Sequence, residues 1–441
     1  MKVMVSVSFD SRLISPAQAQ PPKRWRALNA LRADPLHVTQ AWAQQAGRSF
    51  PVQLGALKTL MSFDPDHWAI AHERLLLRVE APRLPTLLSP LRGAEVDEAL
   101  ASISLHEVTQ AFTRCAAVHA AEHLEGFSVE GSLHERWREL CLWVSHVALL
   151  KIDLKRSSTI HDVHRQHLQR LEERWSIFHP EHLSRPPSAR VSKMILNNLE
   201  HLPHLGTLGS ALGARVALTA QLFFSLNALG QWFWIWINQS PDLLAELQSE
   251  LSVTLKDTPY QPRLWRALPR LSATVLELYR LYPPEWCVSA PLTEGPLLRR
   301  LRDRPELSEM LSARRAPTLL LLPSYWRQRD ERLWEDAERF HPSRHQSLFH
   351  ARTPDSTPSE QLSLGLSPDL SSAKGQLIFH TLLALLTSLL RRGIYHVEES
   401  VARDVASRSP QLRGGALSPS GGALCRFETA EHVAYIRSTR V

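Results

Sequence analysis

Lysine is nearly missing from this chain, with 8 residues against 43 arginines. That imbalance, beside abundant Leu and Ala, points to coding in a GC-rich bacterial genome. It does not describe a nucleic-acid binder. The formal net charge is +7, but the arginines alternate with acids, as in LHERWREL and QRLEERW, and form no phosphate-binding stripe. Cysteine is scarce too. Cys115, Cys141, Cys287 and Cys425 stand far apart with no C-x-x-C, which excludes a disulfide scaffold or zinc knuckle and fits a reducing, cytoplasmic setting. No internal repeat and no domain-sized linker occurs. The glycines at 206–213 follow no strand pattern, so that run leads into a helix and does not cradle a nucleotide. Before the A-x-A-like tripeptide at 17–19 the apolar run is only about six residues, shorter than a signal peptide needs. Residues 1–20 are therefore expected to be a disordered leader, with export as the alternative.

What the chain does have is helical periodicity. Apolar residues recur at three- and four-residue steps over 104–124, 134–149, 161–177, 212–239, 243–255, 264–281 and 374–392. Strand patterns are fewer, near 48–63, 317–324 and 394–400, and Pro/Ser-rich breaks fall at 184–191, 351–361 and 407–422. The expected fold is mainly α with small β-sheets, in a single domain over 21–441. One uncharged run, 216–237, is long enough to cross a bilayer, which takes about 20 residues. Thr219, Gln221, Ser225, Asn227 and Gln231 interrupt it and no basic cluster flanks it, so a buried central helix is expected and no transmembrane segment. Its Gln-Trp-Phe-Trp-Ile-Trp end, 231–236, reads as core filling.

The stretch VLELYRLYPPEW, 275–286, places Glu277 and Arg280 three residues apart on one face of an apolar helix that Pro283 and Pro284 must end. A buried carboxylate–guanidinium pair needs its remaining donors satisfied, and Arg339 in the turn of WEDAERFHPSRH could close a Glu–Arg–Arg triad. With these motifs the chain resembles the cytochrome P-450 family from Pro21 onward. Glu277-x-x-Arg280 followed by L-Y-P-P matches the family's K helix. Ala337 to Phe340 match its P-E-R-F meander, and Phe340 to Arg344 its F-x-P-x-R. Residues 48–68 look like its first β-hairpin, and 216–237 like its I helix. The diverged I helix is loosely similar to the sterol-hydroxylase and prostacyclin-synthase branch.

That resemblance implies a haem loop at LSLGLSPDLSSAKGQ, 362–376, where the family's cysteine thiolate binds iron and drives O–O cleavage. Two alignments are open. Without a gap, Leu362 and Gly365 match the motif's Phe and Gly, and Asp369 replaces the cysteine. With a four-residue insertion, Ala373 replaces it and Gly375 closes the motif; this alignment matches the last helix throughout and is preferred. Neither supplies a thiol. No Trp has Arg four residues later and residues 285–297 hold no Arg, Lys or His, so the family's propionate contacts are missing. Its acid–Thr proton relay stands here as Phe224–Ser225.

The expectation that follows is a P-450-like protein without haem-thiolate chemistry. It would be a helper or scaffold subunit, or a binder of an apolar small molecule, in bacterial secondary metabolism. The family's cysteine-less members, which stabilise a partner glycosyltransferase, are similar in their losses. Its partner would be a biosynthetic protein or apolar ligand, and no cofactor is expected. The alternative is a haem b-dependent monooxygenase or isomerase acting on a lipid, sterol or polyketide. Three rival metal readings rank lower. His119-x-x-Glu122-His123 matches a zinc-binding H-x-x-E-H, but a solvated helix face is the plainer reading. His161, His164 and His167 read as an exposed face. His380, two turns past Ala373, reads as packed in the last helix and not as an iron ligand.

Overall fold

The structure, a computed structural model, describes residues 27, 30–31, 34–54, 57–64, 66–68, 101–125, 131–152, 165, 211–284, 286–292, 296–312, 316–346, 349, 373–413 and 416–429. In chain order its elements begin with helix α1 (Pro35–Ala46), strands β1 (Ser49–Leu54) and β2 (Leu57–Ser62), helix α2 (Leu105–Glu125), strand β3 (Gly131–Ser132) and helix α3 (Leu133–Leu150). Next come helices α4 (Ala211–Asn238) and α5 (Pro241–Leu255), a 3-10 helix (Pro262–Ala267), helix α6 (Pro269–Leu281), strand β4 (Val288–Pro291), and helices α7 (Pro296–Arg302) and α8 (Pro305–Ser312). The remainder is strand β5 (Leu319–Leu322), the one-turn helix α9 (Ser324–Arg327), a second 3-10 helix (Pro342–His345), helix α10 (Ala373–Leu390), strand β6 (Gly393–His396), helix α11 (Glu399–Ser407), and strands β7 (Gln411–Arg413), β8 (Ala416–Ser418) and β9 (Leu424–Thr429). The architecture is mainly helical with small β-sheets, as the periodicity predicts.

The chain divides into two compact units, one of residues 1–77 and 289–323, the other of 78–288 and 324–441. The first carries a four-stranded sheet in the order β1-β2-β5-β4. β1 and β2 pair antiparallel from Ser49↔Ser62 to Leu54↔Leu57, and β5 joins β2 in parallel. Phe50, Val52 and Leu54 of β1 are buried and alternate with Pro51, whose missing N–H suits an edge strand. α1 starts where Asp34 caps the His37 N–H at 3.1 Å and Pro35 opens the first turn.

The second unit is built around α4. Its side chains from 218 to 235 are all buried, including Thr219, Gln221, Ser225, Asn227 and Gln231, and it packs on α3, α10, α11 and β8. Among the described residues no helix is long and apolar enough to cross a membrane. Gly230 explains how α3 comes so close: a Cβ there would lie 2.0 Å from the Trp137 ring, whose Nε1–H donates to the Leu226 carbonyl at 2.9 Å. Trp232 stacks on Tyr282 with centroids 3.8 Å apart, and its Nε1–H donates to Leu417 O. The Asn238 amide donates to Tyr395 O and accepts from the Val397 N–H, which ties the end of α4 to β6.

Three expectations are corrected locally. The helix expected over 264–281 is split, because Pro269 has no N–H to continue a ladder and instead opens α6. The strand expected over 394–400 ends at His396, and α11 begins at Glu399. The break expected at 407–422 contains a hairpin, β7 paired with β8 through Arg413↔Ala416 across a Gly-Gly of sequence. The helix expected over 161–177 lies almost wholly outside the described residues.

Candidate functional site

Helix α6 is buried from Leu271 to Leu281, so its one carboxylate and its guanidinium enter the core together. Arg280 grips Glu277 bidentately, Nε to Oε2 and Nη2 to Oε1, each at 2.9 Å. Its other N–H groups donate to Gln328 O at 2.5 Å, Ala337 O at 2.7 Å and Arg339 O at 3.1 Å. All five guanidinium donors are thereby satisfied, the condition under which a fully buried Arg is tolerable. Glu277 also accepts from the His341 N–H at 2.9 Å, from Arg344 Nε at 3.1 Å and from His345 Nε2 at 2.9 Å.

The expected triad therefore has the wrong third member. The Arg339 side chain is 72% exposed with Asp336 as its ion partner at 3.8 Å, and it contributes only its carbonyl to Arg280. Arg344 and His345 take the place meant for it, because the 3-10 turn at Pro342–His345 swings both toward α6. The signal was present, since Arg344 is the last residue of the F-x-P-x-R pattern. The preceding turn holds Asp336 in a left-handed conformation, φ +48, which Asp tolerates better than most residues. Phe340 leaves that turn to stack on Trp236 at 4.8 Å.

Burial by itself would raise the pKa of Glu277, but hydrogen bonds from His345 and Arg280 and their electrostatic pull outweigh it and hold the carboxyl at about 2. Burial, helped by the charges of Arg280 and Arg344, keeps His345 below its ordinary 6.5 despite Glu277. His345 is then a neutral donor through Nε2, and the charge in the cluster is carried by Glu277, Arg280 and Arg344.

The expected haem loop contrasts with this. Leu362, Gly365 and Asp369 lie outside the described residues. Ala373 is the exposed first residue of α10, and Gly375, two residues on, is buried. An Ala methyl has no lone pair for iron. All four cysteines are buried elsewhere and none is in a disulfide. Burial pushes the Cys141 thiol well up and the Cys425 thiol to about 12, so neither offers a thiolate at neutral pH. His380 is no substitute on this geometry. Burial drives it down to about 4, and its Nδ1 takes the Tyr260 hydroxyl at 2.7 Å inside α10's packing. The residues present do not fit a haem-thiolate centre.

Phe224 and Ser225 are both buried on α4, Phe224 edge-on to Phe223 at 5.1 Å, and Phe224 has no proton to relay. The rival zinc motif does not converge either. His119 is buried with its Nε2 against the Tyr395 hydroxyl, while Glu122 is exposed and the His123 side chain lies outside the described residues. Among the described residues no three His, Cys, Asp or Glu side chains form a group able to hold a metal. His161, His164 and His167 are outside them. Comparison with models of known protein families and with curated proteins finds no match.

Proposed function

We propose that this chain is a cytochrome P-450-like protein that has given up haem-thiolate chemistry and acts by binding, as a helper or scaffold subunit for a biosynthetic partner or as a holder of an apolar small molecule. One observation carries this reading. The Glu277–Arg280 pair, the core of the motif on which the resemblance rests, retains every hydrogen bond a buried ion pair needs. The position aligned with the iron ligand is an exposed Ala373. A chain under no selection would lose a buried ion network as readily as a metal ligand, since one substitution destroys either. Keeping the first without the second favours selection on shape over selection on chemistry at iron.

The test is spectroscopic. The protein is expressed with a haem precursor, reduced and exposed to carbon monoxide. The expected result is no band near 450 nm, the signature of thiolate-ligated haem, and no stoichiometric haem after purification. Co-expression with a neighbouring biosynthetic enzyme should raise that enzyme's soluble yield or melting temperature. A 450 nm band, or substrate turnover with a redox chain that is lost on mutating residues 362–375, would replace this reading with that of a haem enzyme.

A further inference from the structure

His134 stands in the first turn of α3, half-buried, with α4 on one side and the β7–β8 hairpin on the other. Its two ring nitrogens face groups of opposite kind. On the α4 side, Gln231 Nε2 donates to Asn227 O at 3.0 Å and to Asn227 Oδ1 at 3.1 Å. That turns Gln231 Oε1 to His134 Nδ1 at 3.3 Å. An amide oxygen only accepts, so Nδ1 carries the proton. On the hairpin side, Arg413 Nη1 lies 3.2 Å from His134 Nε2. A guanidinium has donors and no acceptor, so Nε2 must offer its lone pair. The two neighbours together fix one tautomer of a neutral imidazole.

The two strands of the hairpin are held differently. β8 is secured by burial: Ala416, Leu417 and Ser418 are all buried, β8 packs on α4, and Leu417 O accepts from Trp232 Nε1 at 2.7 Å. β7 has an exposed Gln411 and half-buried Leu412 and Arg413, and the Arg413 side chain joins it to His134. A proton added at Nε2 replaces that acceptor with a donor and sets an imidazolium against a guanidinium. Among the described residues, the other charged groups of the adjoining elements face elsewhere. Glu135 is exposed, the Arg136 guanidinium lies against Gly131, and Arg138 lies over the Phe223 ring at 5.8 Å. On β9, Arg426 and Glu428 pair with each other. α4 presents the neutral amides of Gln231 and Asn227.

We propose that His134 is a pH latch on this hairpin: neutral, it fastens β7 to α3, and protonated, it releases β7 while β8 stays on α4. The latch stands apart from the haem question and does not depend on the proposed function. Histidine changes charge between about pH 5 and pH 8, so the test compares those two limits. The measurement is amide hydrogen exchange on the full chain, corrected for the intrinsic effect of pH on exchange. Protection of residues 411–418 should fall about tenfold or more at the acid limit, the factor expected when a hydrogen bond to a charged group is lost. Protection of α4 should fall less, since the release is local. His134→Gln keeps a donor and an acceptor but takes no charge, and should hold the hairpin equally at both limits. Arg413→Ala should leave it as loose at the upper limit as the parent is in acid. Hairpin protection that does not change with pH, an equal fall in His134→Gln, an equal fall in α4, or full protection in Arg413→Ala would each overturn the proposal.

Discussion

The Glu277 network and the mouth of α10 both carry motifs on which the P-450 resemblance bears, one structural and one for the cofactor, yet they are built to opposite standards. In the first, a carboxylate with no exposure accepts five hydrogen bonds and its guanidinium partner has no donor left over. In the second, the side chain at the aligned ligand position is an exposed methyl. A buried charge must be satisfied in every folded molecule, whatever the protein does, so its partners are held by the requirement to fold. A metal ligand is held only by the chemistry it serves. On the proposed reading, the difference separates the demand of folding from the demand of chemistry.

Breaking the first region should have the largest effect. Glu277→Ala leaves Arg280 and Arg344 facing each other in the core without a counter-charge, and a loss of about 3–5 kcal/mol is expected. That is a large share of the ~5–15 kcal/mol by which a domain is stable, so insoluble or barely folded protein is predicted. A variant whose urea midpoint equals the parent's would refute the network as a structural centre.

Acid should undo the same region without mutation. Glu277 titrates at about 2 in the folded protein against an ordinary 4.5, so its contribution is present above pH 4.5 and lost as pH falls toward 2. At ~1.4 kcal/mol per unit that is about 3 kcal/mol. His380 is depressed too, to about 4 from 6.5, so the unfolded chain binds its proton first and stability begins to fall once pH drops below 6.5. Urea midpoints measured across this range should therefore decline in two stages, and His380→Gln should shrink the upper one, to which the depressed His345 also contributes. A flat profile between pH 6.5 and 4 would rule out the buried neutral imidazole.

A smaller pair of changes sharpens the membership of the network. Arg344→Ala removes a charged hydrogen bond to Glu277 and should cost about 1.5–3 kcal/mol. Arg339→Ala should stay within about 0.5 kcal/mol, since only the Arg339 carbonyl is used and that survives the change. Equal losses from the two would restore the triad read from sequence. The smallest effect is expected at the second region, where Ala373→Cys alters an exposed helix start by no more than about 0.5 kcal/mol. It should not create a 450 nm band, because the Trp-x-x-x-Arg pattern and the basic residue past Pro284 are still missing. A band in that variant would mean that the pocket has kept its shape for haem.

Helix content, the buried character of α4, and the partnership of Glu277 with Arg280 were legible in the sequence, because each follows from spacing along one element. Three-residue separation puts two side chains on one face of a helix wherever that helix lies, and an uncharged run broken by amides and hydroxyls points to protein surroundings over lipid. The extra partners of the carboxylate were not legible. Choosing Arg344 and His345 over Arg339 depended on the handedness of a turn at Asp336 and on a 3-10 step at Pro342, which rotate neighbouring side chains to opposite sides. The approach of Trp137 to Gly230 is likewise a fact about two helices 93 residues apart in sequence, unknowable until they pack.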